Sequence, residues 1–209
     1  MTGRTAVVLA GGRSGRFGSQ DKALAEVAGT PMLAEVLNRV GTVTDHVIVS
    51  CRAEQQESFE QLTFEPSVRY VHDPGPDSGP VAGLAEALPA VETPTVSVVA
   101  CDMPGVDPSF LALLFGRLER NDNTDLPVAA IVPRQEDGTH QPLQAAYRTD
   151  WLGRAVDAEL AEGDQRLHGL LERLPTLSIP PQLVAEYTNW ESIANINTQA
   201  ELEAFLSRQ

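Results

Sequence analysis

The sequence predicts an α/β fold with a mainly parallel sheet and helices on both faces, and three observations predict it. Short apolar runs rich in β-branched residues recur through the first two thirds of the 209 residues. The segments between them carry apolar residues at helical intervals, and residues that start or stop helices stand at the expected junctions. The first run, Ala6–Ala10, breaks into Gly11-Gly12. Thr30-Pro31 then reads as a helix start, with Thr30 as the N-cap and Pro31 at the first helical position. Leu33, Val36, Leu37 and Val40 follow on one face until Gly41 ends the helix. A second run at His46–Ser50 and a third at Val68–His72 precede a Gly-Pro turn and a helix over about Val81–Val91. The fourth run, Thr95–Ala100, leads to a helix at Pro108–Arg120, and the fifth is Val128–Val132. Shorter helices are expected near Trp151–Glu162 and Arg166–Arg173. The proline-rich stretch from Pro175 to Pro181 is expected to link them to a closing strand and helix. That last helix starts at Thr198, where Thr-Gln-Ala-Glu makes a capping box with Glu201. No internal repeat or long linker interrupts the chain, and its length suits a single domain spanning residues 1–209.

A formal net charge of −14 excludes nucleic acid and acidic membrane surfaces as partners, because both would be repelled by the average face. A phosphate-bearing ligand therefore needs a local positive pocket, such as one built from Arg13, Arg16 and Lys22 with the help of a divalent cation. The acidic surplus is like that of proteins from salt-accumulating organisms. Cys51 and Cys101 each stand at the end of an apolar run, where cysteine behaves as a small hydrophobe, and two isolated cysteines make neither a disulfide framework nor a metal site. The apolar stretch before Gly11 is too short for a signal segment or a membrane span, so the expected location is the cytoplasm.

In an open parallel sheet the ligand crevice lies beyond the carboxyl ends of the strands. The residues just after the runs are therefore the ones to inspect: Gly11–Gly18, Ser50-Cys51-Arg52, Asp73 with Gly75–Gly83, and Cys101-Asp102-Met103-Pro104. The first loop ends at Lys22, the only lysine in a chain whose other fourteen basic residues are all arginine. Glycine frees backbone N–H groups to converge on phosphate oxygens, and lysine delivers a compact charge on a flexible stem that the planar arginine fork does not imitate. The loop fails the P-loop pattern, because Lys22 is followed by Ala23 rather than Ser or Thr. It also fails the dinucleotide fingerprint, because glycines at 11, 12, 15 and 18 have the wrong spacing.

Leu9-Ala10-Gly11-Gly12, Arg16-Phe17-Gly18 and Asp21-Lys22 resemble the nucleotide-binding signature of the nucleotidyltransferases that process the molybdenum cofactor, with Phe17 in place of the usual methionine. The resemblance continues in order through Asp73, Gly79-Pro80-Val81-Ala82-Gly83, Cys101-Asp102-Met103-Pro104, Gln141-Pro142-Leu143, Gly163-Asp164-Gln165-Arg166-Leu167 and Asn195-Ile196-Asn197-Thr198. It implies a Rossmann-like three-layer nucleotidyltransferase fold and membership of the molybdenum cofactor guanylyltransferases, which join GMP from GTP to the terminal phosphate of the pterin cofactor and release pyrophosphate. By the same resemblance Arg16, Lys22 and Asp102 are catalytic, and Asp102 holds Mg²⁺. Leu9, Ala10, Gly11, Gly12, Lys22, Ser50, Asp73, Gly79, Gly83 and Asp102 bind the nucleotide. Gln141, Asn195 and Asn197 in the C-terminal third serve the acceptor. The implied partners are GTP, a molybdopterin-type cofactor, and proteins that deliver the cofactor or chaperone molybdoenzymes.

These residues suit the chemistry. The attacking phosphate monoester is already ionised at neutral pH, so the reaction needs charge neutralisation and in-line alignment rather than a Ser, His or Cys base. Each position also has a plainer reading: Asp102 or Asp73 as a turn residue, the glycines as helix-entry residues, Asn195 and Asn197 as loop hydrogen-bond partners. The competing functions are a cytidylyltransferase of the same cofactor, a sugar- or polyol-phosphate nucleotidyltransferase, and a non-catalytic nucleotide sensor. Glycine at position 11, where the cytidylyltransferases have alanine, favours guanine, and the expected reason is closer approach of the backbone to the purine. Lys22 is expected across the crevice from Asp102 with the triphosphate between them.

Overall fold

The computed structural model describes residues 3–12, 21–75, 78–121, 127–163 and 166–208. Its centre is a seven-stranded sheet of β1 (Arg4–Leu9), β4 (His46–Cys51), β5 (Val68–His72), β6 (Thr95–Ala100), β7 (Ala130–Pro133), β8 (Ala145–Arg148) and β9 (Thr176–Ile179), in the order β5-β4-β1-β6-β8-β7-β9. Pairing is parallel from β5 through β6 and between β7 and β9, whereas β8 runs against both its neighbours. One reversed strand leaves the carboxyl ends of all the others at a single edge of the sheet.

The side-chain period of two sorts β1 and its neighbours into two cores. Ala6 and Val8 of β1, Val47 and Val49 of β4, and Val99 of β6 face one side, where α1 (Met32–Gly41) contributes Leu33, Val36, Leu37 and Val40 and α4 (Pro108–Arg120) contributes Phe110, Leu111, Leu114, Phe115 and Leu118. Phe59 of α2 (Ala53–Glu60) joins them. Val7, Ile48, Val96 and Val98 face the other side, against α3 (Gly79–Ala87), α5 (Thr149–Glu162) and α6 (Leu167–Glu172). Each of the fully buried Phe and Leu side chains contributes about 1.5–3 kcal/mol on transfer from water.

A third, smaller cluster matters more for position. Ala25, Val27 and Met32 pack with Ile196, Leu202 and Phe205, so the segment that follows Lys22 is held against α8 (Gln199–Leu206) and the loop before it. The predicted capping box starts α8: Thr198 Oγ1 accepts from Glu201 N at 3.2 Å, and Glu201 Oε2 accepts from Thr198 N at 3.0 Å.

Four local expectations are revised or widened. Thr30 does not cap α1; Thr30–Pro31 form β3, which pairs with β2 (Glu26–Val27) in a small antiparallel ribbon. Its turn residues, Ala28 (φ 51°) and Gly29 (φ 86°), both have the positive φ that tight hairpins require. Helix α1 does end at Gly41, but its reason is widened: a Cβ there would fall 2.8 Å from Pro66, so the glycine also serves a close approach. The third helix is shorter than expected, ending at Ala87 before a 3-10 turn at Leu88–Ala90 in which Pro89 has no N–H to donate. Finally, β9 itself lies inside the Pro175–Pro181 stretch, bounded rather than interrupted by prolines, and α7 (Pro181–Tyr187) follows directly.

Candidate active site

The site is built where the ladder bonds of neighbouring strands run out. Ala10 N donates to Ser50 O at 2.8 Å, Asp73 N to Cys51 O at 2.9 Å and Cys101 N to Leu9 O at 3.0 Å, so the chain leaves β1, β5 and β6 side by side. These exits border a cavity of about 550 Å³. Of the residues expected to act, Leu9, Ala10, Gly11, Gly12, Lys22, Asp73, Gly79, Asp102, Asn195 and Asn197 all line it. Arg13 and Arg16 lie outside the described residues, as do Asp164 and Gln165 of a later motif.

Lys22 and Asp102 are closer than expected. The Lys22 ammonium is ion-paired directly with Asp102 Oδ2, and it also donates to Asn197 Oδ1 at 3.0 Å. Asn195 Nδ2 donates to the other Asp102 oxygen at 2.7 Å. The backbone fixes this constellation from both sides. Asp21 caps the 3-10 turn Lys22–Leu24 by accepting from Ala23 N at 3.0 Å, and Ile196 N donates to Asp102 O at 2.9 Å, which sets Asn195 and Asn197 on either side of the carboxylate.

Asp73 is held at the opposite wall. The Ser50 hydroxyl donates to Asp73 Oδ1 and lies 3.1 Å from Gly83 O. Ser50 is only 1% exposed and does not line the cavity, so the expected nucleotide contact at Ser50 is replaced by a brace behind Asp73. Gly83, also buried, is part of the same brace: a Cβ there would lie 2.8 Å from Ser50 Oγ and 2.9 Å from Asp73 Oδ1. The small residue at position 11 has a similar cause. A Cβ on Gly11 would overlap the Asp73 carboxylate, lying 2.6 Å from its Cγ and nearer still to Oδ2. Gly11 therefore makes room for Asp73, a second reason for glycine beside the expected approach of the backbone to a base.

Gln141 is likewise outside the cavity. Its amide donates to Ile193 O at 2.9 Å and so holds the segment that leads to Asn195. Gln144, fully buried with φ 56°, supports the same segment. With its amide oriented to satisfy both neighbours, it donates to Ser192 O at 2.6 Å and accepts from Asp107 N at 3.1 Å.

Two residues of the site had no role assigned from the sequence: Arg52, which follows the second run, and Gln55. Arg52 Nη1 donates to Gly11 O at 2.7 Å and Gly12 O at 3.0 Å, and Gln55 Nε2 donates to Ala10 O at 3.2 Å and Asp21 Oδ2 at 2.5 Å. The one signal for them was the capping geometry of α2, where Arg52 N donates to Gln55 Oε1 at 2.8 Å. The cysteines have no nucleophilic role. Burial first, then Asp73, pushes the Cys51 thiol up to about 12, and burial, then Asp102, raises that of Cys101 as well. The described lining residues include no histidine.

A crevice at the carboxyl edge of a mainly parallel sheet, with one ammonium and one carboxylate meeting over a glycine turn, is the arrangement of an α/β nucleotidyltransferase. Comparison with known proteins agrees. The family model described as the MobA-like NTP transferase domain matches residues 6–177, and the chain belongs to that family. It is 37% identical over 203 residues to a probable molybdenum cofactor guanylyltransferase of Natronomonas pharaonis, covering 97% of this chain and 96% of the relative. A protein of the same description from Haloferax mediterranei is 31% identical over 208 residues, covering 100% and 95%. Among solved structures, the molybdopterin-guanine dinucleotide biosynthesis protein A of Archaeoglobus fulgidus superposes with a TM-score of 0.78 at 24% identity, covering 98% of this chain and 97% of that one, and shows the shared fold.

Proposed function

We propose that this nucleotidyltransferase moves GMP from GTP to the terminal phosphate of a molybdopterin-type cofactor, giving the guanine dinucleotide form and pyrophosphate. The observation that carries the reading is the contact of Lys22, the only lysine of the chain, with Asp102 and Asn197 in the crevice. The names of the relatives from Natronomonas and Haloferax supply the substrate class.

In the proposed reaction an oxygen of the acceptor phosphate attacks the α-phosphorus of GTP, the bond to the β-phosphate oxygen breaks, and pyrophosphate leaves. No proton has to be removed first. The chain's task is to hold two polyanions together and to balance charge on the leaving group. The turn at Gly11 and Gly12, Asp73 and Gly79 form the donor side. Asn195 and Asn197 form the acceptor side, with Leu143 and Leu167 as apolar walls. Lys22 lies between them and neutralises the triphosphate.

A divalent cation, Mg²⁺ in this reading, fits the donor set. Asp102 and the Asn197 side-chain carbonyl present hard oxygens beside the Lys22 ammonium in the crevice. Mg²⁺ typically takes one or two carboxylates and completes its shell with water and phosphate oxygens, so Asp102 is the residue to hold it. When bound, the ion would neutralise phosphate charge and polarise the α-phosphate. Lys22, paired with Asp102 here, would be the cation to face the phosphates.

The test uses GTP labelled in turn at the α- and γ-phosphates, with Mg²⁺ and the pterin acceptor. α-Label is expected in the acceptor product and γ-label in pyrophosphate, with both slowed at least about 100-fold but still measurable in Lys22→Ala and Asp102→Ala. Binding of GTP without any transfer of label would mark a sensor and overturn the reading.

A further inference from the structure

We propose that Arg52 is a positioning residue for nucleotidyl transfer, stapling together the two ends of the glycine-rich loop so that Lys22 is set at a fixed place relative to the loop backbone. The loop leaves the sheet at Ala10–Gly12 and re-enters described structure at Asp21-Lys22. Among the described residues, Arg52 and Gln55 at the start of α2 bond both ends. Arg52 Nη1 bonds the carbonyls of Gly11 and Gly12, while its Nη2 reaches Asp21 Oδ2 at 3.5 Å. Gln55, 4% exposed, bonds Ala10 O with the same amide nitrogen that bonds Asp21 Oδ2, and its carbonyl is held in turn by Arg52 N.

Asp21 passes this constraint on. One of its carboxylate oxygens takes the staple, and the other caps the turn that carries Lys22, through Ala23 N. Arg52 itself does not line the cavity, so it acts through the loop and not on the ligand. Arg52 holds the Gly11 and Gly12 carbonyls, and both glycines line the cavity. A planar guanidinium suits this, because it reaches two carbonyls and a carboxylate at once, which an ammonium on a lysine stem does not.

The inference rests on the proposed transfer reaction for its kinetic consequence but not for its structural one, and two readouts keep these apart. In hydrogen exchange, Arg52→Ala is expected to speed the amides of Ala23, Leu24 and Ala25 about tenfold while those of β4 and β6 keep their rates. In kinetics, Arg52→Ala and Arg52→Lys are each expected to lower kcat about 10- to 100-fold with a smaller change in KM for GTP. The loss should vanish in a Lys22→Ala background, because a residue that acts by placing Lys22 has nothing left to place. Arg52→Lys keeps the charge and stem and carries the same test if Arg52→Ala melts early. Unchanged exchange at residues 23–25 overturns the staple whether or not the wild type turns over. Equal losses in the wild-type and Lys22→Ala backgrounds, or a change confined to KM, overturn the positioning role.

Discussion

Gly11→Ala tests the relation between the glycine turn and Asp73 most sharply, because the structure states what the methyl group would meet. Its carbon would lie 2.6 Å from Asp73 Cγ, and carbon atoms in contact prefer about 3.5–4.0 Å, so the carboxyl group has to retreat by roughly 1 Å. That retreat breaks the hydrogen bond from the buried Ser50 hydroxyl. A hydrogen bond to a charged group contributes about 1.5–3 kcal/mol. At 1.36 kcal/mol per factor of ten, displacing Asp73 by that much should weaken GTP use roughly 10- to 150-fold, and loss of the buried hydrogen bond should lower the melting temperature by several degrees. The assay is pyrophosphate release against GTP concentration for Gly11→Ala, Asp73→Ala and the double variant. Asp73→Ala removes the carboxyl group that clashes, so adding Gly11→Ala to it should cost almost nothing. A full and equal Gly11→Ala penalty in the Asp73→Ala background would refute the steric relation, and so would a Gly11→Ala enzyme with wild-type use of GTP.

Lys22→Arg should lower turnover at least about 100-fold, measured by the same assay, because the guanidinium fork does not fit the space shared by Asp102 and Asn197; near-normal turnover would show that a generic cation suffices. Cys51 and Cys101 should resist iodoacetamide at pH 8 in the native protein and react on unfolding, since a thiol pushed up to about 12 is roughly one part in 10⁴ thiolate there. Their folded values lie above the unfolded ones, so the stability they confer is present below about pH 8.5 and lost as pH rises toward 12, which alkaline melting curves of Cys51→Ala and Cys51→Ser should reflect as a flatter pH dependence. With a formal charge of −14, the melting temperature should rise steadily between about 0.1 and 2 M KCl, and a flat response would remove surface repulsion as a factor.

The parts of the fold that were legible are those where local chemistry and tertiary role coincide. β1, β4 and β6 carry β-branched runs because each is buried or nearly so, β5 keeps a half-buried run at the sheet edge, and Pro108 and Thr198 mark helix starts by their own backbone or side-chain chemistry. β8 was not legible: Ala145-Ala146-Tyr147-Arg148 has no β-branched residue, and its reversal depends on which strands it lies between. β9 was hidden by its flanking prolines. In the site, Lys22, Asp73, Asp102, Asn195 and Asn197 stood out because each follows a strand or precedes a cap. The steric reason for Gly11 was not readable, since the carboxylate that fills its missing Cβ comes from 62 positions away in the chain. Arg52 and Gln55 were given no role for the same reason. Their partners belong to a loop on another strand, and no local pattern distinguishes them from the solvated first turn of a helix.

This crevice is proposed to select a guanylyl donor and transfer its nucleotide. The most direct measurement offers the enzyme equimolar GTP and CTP with Mg²⁺ and the molybdopterin-type acceptor, and identifies the dinucleotide product by mass. The prediction is a product that is almost wholly the guanine dinucleotide, formed with one pyrophosphate per turnover. A predominantly cytosine dinucleotide, or consumption of neither nucleotide by a folded protein that binds both, would contradict it.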